Sequence, residues 1–79
     1  MIEIKYFPVE GVPYKKTLNK DDLLSQLQSL VGGYIEIVRL SHGKVLVVNE
    51  EGLLENLPTN PHWPRLVGNV VLMNDADLD

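Results

Sequence analysis

The chain has 79 residues, a formal net charge of −4 and no cysteine. This length predicts a single domain over residues 1–79. Without cysteine, neither a disulfide nor a thiolate metal site can strengthen its core. No apolar stretch approaches the roughly 20 residues of a membrane span, and the first residues lack the pattern of a signal peptide. We therefore expect a cytoplasmic protein without membrane contact. The negative net charge argues against nucleic acid as a partner, because binding to phosphates usually needs a basic face.

Two strands are predicted to precede the helix. Ile2, Ile4 and Tyr6 recur at every second position, and this period of two is typical of a strand. The segment from Val12 to Leu18 predicts a second strand. Its Lys15–Lys16 pair favours a position at the edge of the sheet, where lysine discourages unwanted pairing.

The next segment predicts an amphipathic helix. Asn19 is the predicted N-cap, because its side chain can accept a hydrogen bond from the backbone at a helix start. Gly32 and Gly33 predict the end of the helix, since glycine readily adopts the left-handed conformation that follows it. The apolar residues between them form one stripe that has to pack on a sheet, because so short a helix is not stable alone. They are Leu23, Leu24, Leu27, Leu30 and Val31.

The second half of the chain predicts three further strands and one irregular loop. Tyr34 to Leu40 and Lys44 to Asn49 predict a hairpin. The nearly continuous apolar run of the second of these strands predicts a central position that is covered on both faces, or a strand of which a partner covers one face. Leu57 to Arg65 is rich in proline, so we expect no regular structure there. Leu66 to Met73 predicts the last strand, with Gly68 as a bulge or a point of close approach.

The order of these elements predicts the fold class. Strand, strand, helix and three strands (ββαβββ) favour an α+β fold with two layers. One amphipathic helix would pack on a mixed, mainly antiparallel sheet of four to five strands, and a β-grasp topology is one candidate. Residues 74–79 predict an acidic, frayed tail.

The sequence predicts no catalytic residue, no metal ligand and no cofactor. His42 lies in a predicted hairpin turn beside Ser41, but neighbours in sequence do not make a catalytic dyad, which is a spatial arrangement. His62 lies in the proline-rich loop without the spacing of a metal site. Glu50 and Glu51 predict a charged turn, because adjacent residues at a strand end point in different directions.

The proline-rich loop is the predicted binding surface. Asn60, His62, Trp63 and Arg65 combine hydrogen-bonding groups with a flat apolar ring. Aromatic and arginine residues are favoured as binding anchors, so this loop could grip a protein or a small ligand. The alternative interpretation is that Trp63 and Leu57 fold back as a lid over the sheet.

Four short segments carry a resemblance to a known family. They are Leu30–Val38, Leu46–Gly52, Leu57–Asn60 and Val67–Leu72. In this order they resemble an uncharacterised domain family that is widespread in bacteriophages and other mobile elements. The resemblance implies a small accessory protein of viral or plasmid origin, acting in the host-cell cytoplasm, and it implies no reaction. The matching residues are Asn49, Glu50, Gly52, Asn60 and Asn69. We add Asn49 and Glu50 to the candidate binding residues.

Three hypotheses for the function follow. The leading one is a non-enzymatic binding module that engages a host protein, or a second copy of itself, through a sheet edge or the Trp63 loop. The second is a binder of a small, nucleotide-like signal. It would act as an oligomer, with Asn60, His62, Trp63 and Arg65 on the pocket wall. The third is a small enzyme of unknown reaction.

Overall fold

The predicted α+β class is confirmed. The computed structural model describes residues 1–78, in which one α-helix covers a five-strand sheet and a two-strand hairpin covers the other face of that sheet. The strands are β1 (Ile2–Phe7), β2 (Tyr14–Leu18), β3 (Ile35–Arg39), β4 (Lys44–Asn49), β5 (Thr59–Asn60), β6 (Trp63–Val67) and β7 (Val70–Asn74). The α-helix is α1 (Leu23–Val31), and a 3₁₀ helix spans Asp75–Leu78.

Neighbouring strands of the main sheet run antiparallel. The order is β2-β1-β7-β4-β3, and Val71 of β7 lies opposite Tyr6 of β1 on one side and Val47 of β4 on the other. This differs from the expected mixed sheet and from a β-grasp sheet, whose first and last strands are parallel. Parallel neighbours need a crossover connection. Here the chain between β4 and β7 forms the β5–β6 hairpin instead, and it returns β7 antiparallel to β4.

One core lies between α1 and the sheet, where the sequence patterns predict it. Ile2, Ile4 and Tyr6 are buried on β1, and Leu27 and Val31 of α1 are buried in the same cluster. Every second residue of a strand faces one side, and residues one helical turn apart share a helix face. Both patterns therefore end in a single core.

A second core lies on the opposite face of the sheet. Leu46, Val48 and Val70 form a buried cluster, and Trp63 and Leu66 of β6 pack against it. β4 is consequently covered on both faces, which confirms the central position predicted from its continuous apolar run.

The proline-rich segment is a hairpin. Thr59 of β5 lies opposite Val67 of β6, and Asn60 lies opposite Trp63. The prediction of irregular structure is therefore wrong from Thr59 to Arg65, whereas Leu57 and Pro58 have no regular structure. Proline is compatible with this hairpin because its two strands lie outside the main ladder, where a missing N–H leaves no neighbouring carbonyl unpaired.

Helix α1 begins later than predicted. Asp22 occupies the N-cap position, and the predicted N-cap, Asn19, instead accepts a hydrogen bond from the Asp21 N–H at 2.9 Å. An asparagine that closes a local turn in this way competes with helix formation. Gln26 ties the turn to the helix by donating from Nε2 to the Asn19 carbonyl at 2.7 Å. The predicted helix end is confirmed, because Gly32 has a left-handed φ of 83°.

The last described residues, Asp75–Leu78, form a 3₁₀ helix within the segment that was predicted to be an acidic, frayed tail. The Asp75 N–H donates to the Gly43 carbonyl at 2.8 Å, and the Asp75 carboxylate pairs with Arg39 at 2.6 Å. Leu78 packs against the core beneath α1. Composition alone could not reveal this, because the partners of the segment lie far away in sequence. Residue 79 lies outside the described residues.

At Gly68, the β6–β7 turn packs closely against the loop that precedes β5. Its φ is +76°, and a Cβ added to it would lie 2.8 Å from Leu57 Cδ1. Gly43 has a similar φ of +73°, but nothing among residues 1–78 lies within 4 Å of a Cβ added there. It therefore provides a control for the backbone strain alone.

We expect Gly43→Ala to lower the free energy of unfolding by about 1 kcal/mol, the strain of a left-handed alanine. Gly68→Ala should lower it by about 1 kcal/mol more, because Leu57 has to leave its packed position. Urea denaturation of both variants measures the difference. Equal losses would show that Leu57 makes room without any penalty.

Candidate functional site

Asn60 holds three segments of the chain together. It is fully buried, and its Nδ2 donates to the Phe7 and Gly68 carbonyls, each at 2.9 Å. Its Oδ1 accepts from the His62 N–H at 2.9 Å. Buried amides are stabilising when they are hydrogen-bonded in this way. The side chain is therefore engaged within the fold and does not reach the surface, and the binding role of Asn60 stays a prediction.

Trp63 lies over the sheet, as the lid interpretation describes. Its ring packs edge to face against Phe7, with the centroids 5.5 Å apart. The indole N–H is buried and has no hydrogen-bond partner among residues 1–78. His62 is exposed at the hairpin turn, with its ring centroid 5.9 Å from that of Phe7. Since Trp63 stabilises the hairpin, replacing it would disturb the fold as well as any binding.

Asn49 joins the end of α1 to the turn after β4. Its Nδ2 donates to the Val31 carbonyl at 3.2 Å and to Glu55 Oε1 at 3.3 Å, and its Oδ1 accepts from the Glu51 N–H at 2.8 Å. The residue is buried. Its hydrogen-bonding groups are therefore engaged within the chain, as is typical of asparagine at turns.

The other predicted binding residues are exposed and do not form one cluster. Glu50 and Arg65 line the same groove, whereas His62 lies at the tip of the hairpin against Phe7. In the described part of the chain, no three His, Asp or Glu side chains are grouped closely enough to hold a metal ion.

A cleft of about 510 Å³ opens at the C-terminal end of α1. Tyr6 and Asn69 line it, and the Tyr6 hydroxyl and Asn69 Nδ2 both donate to the Leu30 carbonyl, at 3.3 and 3.2 Å. Burial, together with the nearby Tyr14, raises the pKa of Tyr6 above its usual value, and a hydrogen bond with Asn69 opposes the rise. The phenol therefore stays neutral at physiological pH. The volume lies in the range of small-molecule sites.

The outer edge of β3 is an open strand edge. Within residues 1–78, β3 is the last strand of the sheet, and the Glu50 N–H donates to the Tyr34 carbonyl at 2.8 Å where β3 meets its neighbour, β4. In an antiparallel ladder, residues alternate between pairs that exchange hydrogen bonds and pairs that do not. The even-numbered residues of β3 thus bond to β4. Ile35, Ile37 and Arg39 direct their backbone N–H and C=O groups outward.

Two grooves flank this edge. The helix-side groove, of about 660 Å³, lies between α1, β3 and the 3₁₀ helix, and its lining includes Leu24, Ile35 and Leu78. The hairpin-side groove, of about 360 Å³, lies between β3, the turn after β4, and β6. Its wall includes Leu53 and Leu54, which are 80% and 82% exposed. Apolar side chains exposed to this degree beside an open edge are typical of an interaction surface.

Comparison with known proteins identifies the family of this domain. A family model described as a domain of unknown function matches residues 2–79. The chain belongs to the DUF3846 family. This confirms the resemblance to an uncharacterised domain family. No curated protein and no solved structure matches the chain. Within residues 1–78, the DUF3846 chain has no helix that is both long enough and apolar enough to cross a membrane.

Sequence patterns of this DUF3846 chain did not predict Leu53, Leu54 or the edge of β3 in particular as the site, although they predicted a sheet edge as one possible binding surface. A signal for the leucines was available, because two adjacent apolar residues in a short polar turn cannot easily both be buried. The edge gave no such signal. β3 is the last strand because β7 inserts between β1 and β4. Since β7 is separated from β1 by most of the chain, local sequence patterns do not reveal this strand order.

The side chain of Asn60 acts as a clamp, because its three hydrogen bonds hold separate segments of the chain together. We expect Asn60→Ala to lower the free energy of unfolding by about 2–4 kcal/mol, because the buried Gly68 carbonyl and the part-buried Phe7 carbonyl both lose their donor. Asn74→Ala removes an exposed hydrogen bond to Lys44 and should change stability by less than about 0.5 kcal/mol. Guanidinium denaturation compares the two. A loss at Asn60 no larger than that at Asn74 would contradict the clamp.

The open edge of β3 should be visible in the exchange of its backbone amides. We expect the amides of Glu36 and Val38 to exchange slowly with solvent, because they bond to β4, and those of Ile35, Ile37 and Arg39 to exchange fast. Hydrogen exchange followed residue by residue by NMR measures this alternation. Equal protection along β3 would show that the edge is covered in solution.

Proposed function

We propose that this DUF3846 protein is a non-enzymatic binding module that accepts an extended segment of a partner protein at the outer edge of β3. The observation that carries the proposal is the outward direction of the backbone groups of Ile35, Ile37 and Arg39. Unpaired groups of this kind readily pair with another strand, and the resulting main-chain hydrogen bonds provide affinity.

The opposite edge of the sheet is less suited to this role. β2 carries Lys15 and Lys16, and Pro13 precedes it. Lysine on an edge strand opposes pairing, because its charged end favours water over a neighbouring strand. The two ends of the sheet therefore differ, and β3 is the end at which we place the partner.

The flanking grooves would give such pairing its specificity. Successive side chains of a strand point to opposite faces of the sheet. A segment added to β3 would thus place alternate side chains in the helix-side groove and in the hairpin-side groove. Leu53 and Leu54 would then be covered by the partner, and burial of exposed leucine is a favourable contribution to association.

The family resemblance bears on the source of the partner protein. The resemblance of the motifs to a family common in bacteriophages and mobile elements supports an accessory protein that acts in the host cytoplasm. The partner would then be a host protein. Occupying the surface of another protein needs shape and charge rather than a reacting group, which agrees with the candidate surface described above.

A second candidate function is suggested by the cleft at the end of α1. Its volume suits a small, nucleotide-like ligand. We rank it second because Tyr6, Asn49 and Asn69 already form hydrogen bonds within the chain. A ligand would have to compete for these groups.

Capture from host-cell lysate with three tagged baits tests the binding module. We expect the double variant Leu53→Ser/Leu54→Ser to retain at least about tenfold less partner than the wild type, because it loses the apolar wall of the hairpin-side groove. Val12→Ser should retain the partner in full. Val12 is 78% exposed and precedes β2, the strand at the other end of the sheet.

Mass spectrometry quantifies the captured protein, and circular dichroism checks that all three baits are folded. A partner retained equally by all baits would contradict binding at the hairpin-side groove. A bait that captures nothing in any form would favour the small-ligand candidate, which a thermal-shift screen with nucleotides then examines.

A further inference from the structure

We infer that the segment accepted at β3 belongs to a partner strand that is basic on the side facing α1 and apolar on the side facing the β5–β6 hairpin. This inference rests on the proposed function and defines the chemistry of the partner. It follows from the different linings of the two grooves that flank the same edge: three aspartates against one lysine on the helix side, and two highly exposed leucines on the hairpin side.

The helix-side groove has an apolar floor and an acidic rim. Asp21, Asp22 and Asp77 contribute carboxylates to its lining, against the single ammonium of Lys20 in that lining. Leu24 is 56% exposed beside them. A lysine or arginine from an added strand can lay its methylene stem on Leu24 and bring its charged end to a carboxylate. An acidic side chain in the same place would meet like charge.

The cation on β3 itself does not oppose this arrangement. Arg39 is paired with Asp75 at 2.6 Å, so its charge is balanced within the chain. The formal net charge of −4 further favours approach by a cationic partner, since the summed charge of a protein steers association.

The hairpin-side groove calls for different side chains. Leu53 and Leu54 form its exposed apolar wall, and Glu36 and Glu50 line it together with Arg65. Apolar side chains of the partner would cover the leucines here. The partner strand is therefore expected to alternate between basic and apolar residues, in step with the alternation of strand faces.

A second copy of the chain fits this pattern less well. Its own basic edge strand, β2, carries Lys15 and Lys16 at adjacent positions. Adjacent residues of a strand point to opposite faces. One of the two lysines would therefore enter the acidic groove, while the other would meet the leucines. Two copies also repel each other through their net negative charge.

Synthetic peptides in which valine alternates with lysine or with glutamate test the inference by fluorescence anisotropy. We expect the lysine peptide to bind at least about tenfold more tightly than the glutamate peptide, because like charges oppose association. Its affinity should fall with added salt, which screens exposed charges. A peptide of the same composition without the alternation should bind more weakly.

A pair of charge-matched variants locates the effect. Asp21→Asn/Asp22→Asn should weaken binding of the lysine peptide severalfold, since both carboxylates belong to the helix-side groove. Glu3→Gln/Glu10→Gln changes the net charge by the same amount at sites outside both grooves and should leave the affinity near that of the wild type. Equal losses in the two variants would reduce the effect to overall charge and overturn the assignment to this groove.

The remaining outcomes separate this inference from the proposed function. If both peptides bind equally and both slow amide exchange at Ile35, Ile37 and Arg39, the charge pattern is wrong and the open edge stands as the site. If neither peptide binds, the alternating partner is excluded, and the capture experiment alone decides the binding module. If the protein alone sediments as an assembly with those amides protected, the occupant is a second copy and the inference fails.

Discussion

Burial of β4 on both faces is the constraint on which the rest of the structure depends. Val45 and Val47 contribute to the core beneath α1, and Leu46 and Val48 contribute to the core beneath the β5–β6 hairpin. A strand that is apolar on both sides is stable only when both sides are removed from water. One helix can cover one face. In a chain of 79 residues, the remaining cover has to come from the proline-rich segment, which folds back over the sheet as a hairpin.

Asparagine side chains hold this arrangement at the places where regular structure ends. Asn60 links the hairpin to β1 and to the turn before β7, and Asn49 links the turn after β4 to the end of α1. Asn69 Nδ2 donates to the Leu30 carbonyl, and Asn69 Oδ1 accepts from the Val9 N–H. Backbone groups at the ends of helices and strands need partners outside those elements, and a short amide side chain can both donate and accept. Residues that look like ligand contacts in the sequence thus have a structural role here.

The same arrangement determines which part of the sheet is left uncovered. The hairpin and the helix cover the two faces of the sheet. Within residues 1–78, the backbone groups of β3 that point away from β4 remain unpaired at one end of the sheet. Charged residues commonly keep such edges from pairing indiscriminately. In this protein the lysines lie on β2, while carboxylates border β3. Under the proposed function, the two ends of the sheet would select against different strands, which would give the protein a basis for choosing a partner.

The sequence by itself determined the local elements. The alternation of Ile2, Ile4 and Tyr6, the apolar stripe of α1 and the continuous run of β4 depend on short-range periodicity, which is readable without a structure. Only the tertiary structure decided the strand order, the hairpin of the proline-rich segment, the burial of Asn60, the packing of Trp63 over the sheet, and the openness of β3. These features depend on contacts between residues that are distant in the chain. The local sequence of one segment does not show which other segment it will contact. The candidate site was therefore predicted only in part. Glu50 and Arg65 lie in a groove beside β3, while the edge itself emerged from the packing of the whole chain.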